Sequence, residues 1–166
     1  MKSIVVYESH WGNTAAIARA IAEGLGGGAQ ALSTAEAKGA ALAGADLIVA
    51  GAPVLGFSLP RDNILESMRA GGPRYKTAPD LSHPSMRAWL EGLAAGSGRM
   101  AAFETRIWWS PGGSTGGIER GLEGKGYRKL DKARRFIVSG QEGPLREGEI
   151  EKARVWGAEL ARAMKT

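Results

Sequence analysis

Apolar and polar positions along the chain switch repeatedly between two periods. Ile4-Val5-Val6-Tyr7 is a continuous β-branched run, the pattern of a strand covered on both faces. After Glu8 to Thr14, residues Ile17, Ala20, Ile21 and Leu25 recur at helical spacing until Gly26-Gly27-Gly28 stops the helix. Gln30-Ala31-Leu32 reads as a short strand, and Ser33 with Glu36 as a capping box opening a short helix. Asp46 to Gly51 is the clearest strand, and it ends in Ala52-Pro53. Residues 52–81 carry Pro53, Pro60, Gly71, Gly72, Pro73 and Pro79, which predicts a long loop with at most one helical turn around Asn63 to Arg69. Ser82 and Pro84 open a helix with Met86, Trp89, Leu90 and Leu93 on one side, ended by Gly96. Arg99 to Phe103 is a fourth strand, Ile118 and Leu122 mark a short helix, and Arg135 to Val138 is a fifth strand. Ile150, Ala153, Gly157, Leu160, Ala161 and Met164 form the stripe of a closing helix, whose acidic first turn suits the helix dipole. The alternation, without repeat or linker, predicts one domain over residues 1–166. Its architecture is a three-layer α/β/α sandwich around a five-stranded parallel sheet with right-handed crossovers.

Composition adds exclusions. At 166 residues a fold buries roughly 70% of the surface of its unfolded chain, so the core needs no staples. The absence of cysteine rules out disulfides, thiol nucleophiles and iron–sulfur ligation, and fits a reducing cytoplasm. With His10 and His83 the only histidines, no metal site is expected. No apolar run is long enough to span a membrane, and the N-terminus reads as a strand and not as a signal peptide. The 25 glycines are about twice ordinary usage and point to tight loops or close ligand approach. The formal charge of +5 is wholly C-terminal, since residues 1–83 are balanced, and Arg120 to Arg135 carry much of it.

In an open parallel sheet, ligands bind beyond the carboxyl ends of the strands, where strand order reverses. The first such loop, Ser9 to Thr14, leads into a helix N-terminus, where free backbone N–H groups and the dipole suit a phosphate. It matches neither the Walker pattern nor G-x-G-x-x-G, so a mononucleotide phosphate is the candidate. The competing reading is that Ser9, Asn13 and Thr14 only cap the helix.

Tyr7-Glu8-Ser9-His10-Trp11-Gly12-Asn13-Thr14, followed by an alanine-rich amphipathic helix, resembles the phosphate loop of flavodoxins. Ser9, Gly12, Asn13 and Thr14 match the [TS]-x-x-G-N-T variant of that loop, and Trp11 stands where a third-position threonine is common. Gly51-Ala52-Pro53 resembles the family's turn into its first flavin-contacting loop. The resemblance implies the sheet order 2-1-3-4-5 and a flavin mononucleotide (FMN) at the switch point between strands 1 and 3. It assigns the phosphate to Ser9, His10, Trp11, Gly12, Asn13 and Thr14. A second loop, Ala52, Pro53, Val54, Leu55, Gly56 and Phe57, would lie against the ring, with Phe57 stacking and Gly56 at the hydrogen-bonding peptide. A third, Thr105, Arg106, Ile107, Trp108 and Trp109, would read the flavin edge, one tryptophan packing inward and the other covering the ring. The fourth, Gly140 to Leu145, reads as a structural turn. No general acid, general base or catalytic triad is assigned.

The reading favoured is an FMN-binding redox protein, an electron carrier or a small flavin-dependent reductase that exchanges electrons with a redox partner protein. The resemblance implies acidity, so a basic chain departs from it where partner choice is made and suits an acidic partner. A module of the same fold without flavin is the alternative. A nucleic-acid surface at 120–135 is disfavoured, because Tyr127 is the only aromatic within that segment.

Overall fold

The computed structural model describes residues 1–71 and 75–166, so Gly72 and Pro73 of the expected long loop lie outside the described residues. The elements run β1 (Ser3–Tyr7), α1 (Asn13–Leu25), β2 (Gln30–Ser33), β3 (Leu47–Pro53), α2 (Asp62–Arg69), α3 (Met86–Gly92), β4 (Arg99–Ile107), α4 (Thr115–Glu123), β5 (Arg128–Lys129), β6 (Arg134–Val138) and α5 (Glu149–Ala163). The sheet is parallel with order β2-β1-β3-β4, and its fifth position is shared by two short strands. β5 pairs with the start of β4 and β6 with its end. This is the expected order with its last strand broken in two.

Strand alternation sorts the side chains into two cores. Ile4, Val6, Ile48, Ala50, Met100 and Ala102 face α3 and α4, where Met86, Leu90, Ile118 and Leu122 are buried. Val5, Leu47, Val49, Ala101 and Phe103 face α1 and α5, where Ile17, Ile21, Trp156 and Leu160 close the other layer. Those two helices cross at backbone contact: a Cβ at Gly157 would lie 2.2 Å from the Ile21 carbonyl oxygen.

Three elements differ from the sequence reading. Ser33 and Glu36 make the capping-box hydrogen bonds, at 3.1 and 3.3 Å, but only a 3₁₀ turn at Gly39–Ala41 follows. The alanine- and glycine-rich stretch gives a helix too little apolar surface to bury. Residues 62–69 form a complete α2 and not a single turn. Most consequential is β4, which runs on four residues past Phe103, because β3 pairs with it as far as Thr105 and β6 from Phe103 to Ile107. No helix of the described residues is long and apolar enough to cross a membrane.

Candidate functional site

The loops after β1, β3, β4 and β6 meet at the carboxyl edge of the sheet and enclose a cleft of about 190 Å³. Its floor is the junction of β1 with α1. Gly12 is the helix N-cap in the left-handed region, φ 90°, a conformation that glycine adopts without strain. No side chain caps this helix, and the first helical hydrogen bond runs from the Ala16 N–H to the Gly12 carbonyl at 3.0 Å. The N–H groups at the start of α1 therefore lack intrahelical partners. The capping reading of Ser9, Asn13 and Thr14 does not hold, since each of these side chains is used elsewhere. Ser9 Oγ accepts the Gly12 N–H at 3.1 Å. Asn13 Nδ2 donates to the Glu142 carbonyl at 3.0 Å, and Thr14 Oγ1 lies 2.7 Å from Thr105 Oγ1.

Leu55-Gly56-Phe57-Ser58 is a tight turn closed from both ends, with hydrogen bonds of 3.1 and 3.4 Å between Leu55 and Ser58. Both central residues have positive φ, 60° at Gly56 and 64° at Phe57, as a type I′ turn requires. Phenylalanine is strained there, yet its ring stands 60% exposed at the rim of the cleft. The turn is held by the loop after β4: the Gly113 N–H donates to the Phe57 carbonyl at 3.2 Å, and a Cβ at Gly112 would lie 1.8 Å from that oxygen.

The extension of β4 puts Thr105, Arg106 and Ile107 on the strand and not in the expected third loop. Glu104 and Arg106 project to one face and are 1% and 5% exposed. Arg106 donates to Glu104 at 2.8 Å and to the Gly112 carbonyl at 2.9 Å. Glu104 Oε1 also accepts from the Thr115 hydroxyl at 3.2 Å and lies 3.4 Å from the Ser114 and Thr115 nitrogens, a carboxylate at the N-terminus of α4. Arg106 Nε is buried without a hydrogen-bond partner among the described residues.

The expectation that one tryptophan would pack inward fails. Trp108 and Trp109 are 65% and 62% exposed. β4 stops at Ile107 and the chain turns at once, the Ser110 N–H donating to the Ile107 carbonyl at 3.1 Å, so both indoles are thrown clear of the sandwich. Trp109 lines the cleft and Trp108 lies outside its lining. Ala52 is also absent from the lining, fully buried in the core beneath.

Behind the first loop sits a polar cluster. Glu8 is fully buried, with Oε1 accepting the Met86 N–H at 2.7 Å and Oε2 lying 2.7 Å from His10 Nε2. Burial opposes the charged form of His10, but the hydrogen bond and charge of Glu8, with the Asp80 carbonyl, outweigh it and raise its pKa above 6.5. The His83 ring stacks on His10 at 5.2 Å. Burial, then the His10 charge, lower its pKa below 6.5 against the pull of Glu8 and Asp80.

Residues 4–65 match the flavodoxin domain family. Among solved structures, a flavodoxin from the domain Archaea is 21% identical with a TM-score of 0.65, each chain covered over 100% of its length. Flavodoxin 1 from Bacillus cereus is 16% identical with a TM-score of 0.64, covering 98% of each chain. The chain has a flavodoxin-like fold. The two-electron reduced Megasphaera elsdenii flavodoxin shares the fold as well, at 19% identity and a TM-score of 0.57 over 95% of this chain and 98% of that one. No curated protein sequence matches it.

In this cleft the structure brings together the first loop except Gly12, the second except Ala52, and the third except Trp108. It adds Ser110, Val138 and Gln141, none of which sequence reasoning named as cleft residues. The fourth loop is a partner of the first: Glu142 accepts the Lys76 and Thr77 N–H groups at 3.0 and 2.9 Å, and its carbonyl accepts from Asn13. Glu8, His83 and Glu104 were missed too. For Glu8 and Glu104 the available signal was a carboxylate directly following an apolar strand run.

Proposed function

We propose that the chain binds FMN at this cleft and works as an electron carrier or small flavin-dependent reductase. The observation that carries the reading is the uncapped N-terminus of α1, opening onto a cleft whose rim holds the exposed rings of Phe57 and Trp109. A helix end with free N–H groups suits the phosphate without a lysine, and exposed aromatic faces suit a flat ring system. The unpartnered Arg106 Nε among the lining residues is a further donor that fits a ligand rich in acceptors. Ligand pockets usually measure roughly 300–1,000 Å³. At about 190 Å³ the cleft would leave part of a flavin outside it, as exchange with a partner protein requires.

When bound, FMN supplies the one- and two-electron chemistry. The chain's own residues hold and shield. The α1 N–H groups would hold the phosphate, Phe57 and Trp109 would cover the ring faces, and the Leu55–Ser58 turn would present its peptide groups to the ring edge. The charge of +5 suits an acidic redox partner. A flavin-free module is the second reading, favoured by the internal hydrogen bonds that already engage Ser9, Asn13 and Thr14. Titration of the purified protein with FMN and riboflavin separates the two. Tighter binding of FMN than of riboflavin supports phosphate capture by α1, and failure to take up FMN at micromolar concentration overturns the flavin reading.

A further inference from the structure

The hydrogen bonds of the two histidines favour opposite protonation states. Both ring nitrogens of His10 face acceptors, Nε2 the Glu8 carboxylate at 2.7 Å and Nδ1 the Asp80 carbonyl at 2.8 Å. Nδ1 donates to a carbonyl and Nε2 faces a carboxylate, contacts that favour the imidazolium, in line with a pKa raised above 6.5. His83 is the reverse case. Its Nε2 accepts the Ser9 N–H at 3.3 Å, so that nitrogen is bare and the ring is neutral. The remaining proton sits on Nδ1, which lies 3.9 Å from Asp80 Oδ1. The groups facing His83 are the His10 imidazolium stacked at 5.2 Å, Glu8 behind it and Asp80 from its own segment. Glu36 lines the same hollow.

Ser9 lines the cleft at the mouth of the phosphate loop, and its N–H is spent on His83. Protonation would turn Nε2 from an acceptor into a donor. Two donors would then meet, with a second cation set against His10, and the contact would break. We infer that His83 is a positioning residue for the phosphate loop: the neutral ring ties up the Ser9 N–H, and the imidazolium releases it to a phosphate monoester. The inference rests on the phosphate-binding reading of the α1 N-terminus. It makes affinity for phosphate-bearing ligands rise as pH falls through the titration of His83, and burial and His10 place that titration below 6.5.

His83→Gln is the decisive variant, because the amide oxygen keeps an acceptor near Ser9 that does not titrate. FMN binding to wild type and H83Q is measured from pH 8 to pH 5, alongside the ¹H–¹⁵N spectrum of the unliganded proteins. Protonation of the phosphate itself near pH 6 affects both proteins alike and cancels in their ratio. The ratio of wild-type to H83Q affinity is expected to rise about tenfold toward pH 5, the equivalent of a one-unit change in the histidine pKa on binding. In wild type, but not in H83Q, the Ser9 amide resonance should move with a midpoint below 6.5. A ratio that stays flat with pH overturns the inference. If wild type takes up no FMN at any pH, the flavin reading fails and the Ser9 amide decides alone. A resonance that ignores His83 then overturns the latch, and one that follows it supports a latch serving another phosphate ligand.

Discussion

Thr14 Oγ1 and Thr105 Oγ1 lie 2.7 Å apart with both side chains buried, joining the first turn of α1 to the extended end of β4. The contact ties the loop between β1 and α1 to the strand that leads to the tryptophans. Thr14→Val leaves the Thr105 hydroxyl against a methyl group, and an unsatisfied buried hydroxyl costs about 1–3 kcal/mol. Adding Thr105→Val should recover part of that loss, since both partners are then apolar. Urea denaturation of the two single variants and the double variant checks this. A double variant as destabilised as the sum of the singles would show that the hydroxyls do not couple.

Phe57 holds φ 64° with its ring 60% exposed, so the chain keeps a strained residue where little packing rewards it. The left-handed region costs a residue with a Cβ roughly 1–2 kcal/mol, part of which glycine gives back in backbone entropy. Phe57→Gly should therefore raise the melting temperature by a few degrees while weakening FMN binding. Thermal melts and fluorescence titration read the two effects separately. Lower stability with unchanged flavin affinity would show that the ring serves the fold and not the ligand.

How much of this was legible follows the range of the interactions. Ile4 to Tyr7 and Asp46 to Gly51 announce buried strands in a few consecutive residues, and Gly12-Asn13-Thr14 announces the helix start. The end of β4 was not legible. Glu104-Thr105-Arg106 reads as polar loop, and these residues become strand through pairing with the end of β3 on one side and with β6, some thirty positions away, on the other. Once that strand is lengthened to Ile107, the turn that follows carries both tryptophans outward, so the length of one strand accounts for both differences. His83 reaches Ser9 across 74 positions, and no local pattern encodes a contact of that range.

Glu104 and Arg106 form a buried ion pair at 2.8 Å that also anchors Gly112 and lies against the start of α4. Removing one partner of such a pair leaves a buried charge without compensation, which costs about 3–5 kcal/mol. Glu104→Ala should lose stability on that scale and release the loop carrying Trp108 and Trp109, altering tryptophan fluorescence before the main unfolding transition. Stability within about 1 kcal/mol of wild type would mean that the guanidinium finds other partners and that the pair does not hold the loop.

The histidine pair sets opposite limits on stability with pH. The pKa of His10 is raised in the folded state, so between 6.5 and that higher value the folded chain binds more protons than the unfolded chain. Its stabilisation is complete below 6.5 and is lost as pH rises through the folded value. The pKa of His83 is lowered, so between its folded value and 6.5 the unfolded chain binds more protons. Stability therefore rises with pH across that lower window and falls as His83 is forced to charge. Together the two place the histidine contribution to stability at its maximum near pH 6.5, with a decline on each side. His10→Gln should flatten the alkaline limb and His83→Gln the acid limb of a plot of melting temperature against pH. Limbs that persist unchanged in both variants would assign the pH dependence to other groups and remove the protonation states that the hydrogen bonds assign to the pair.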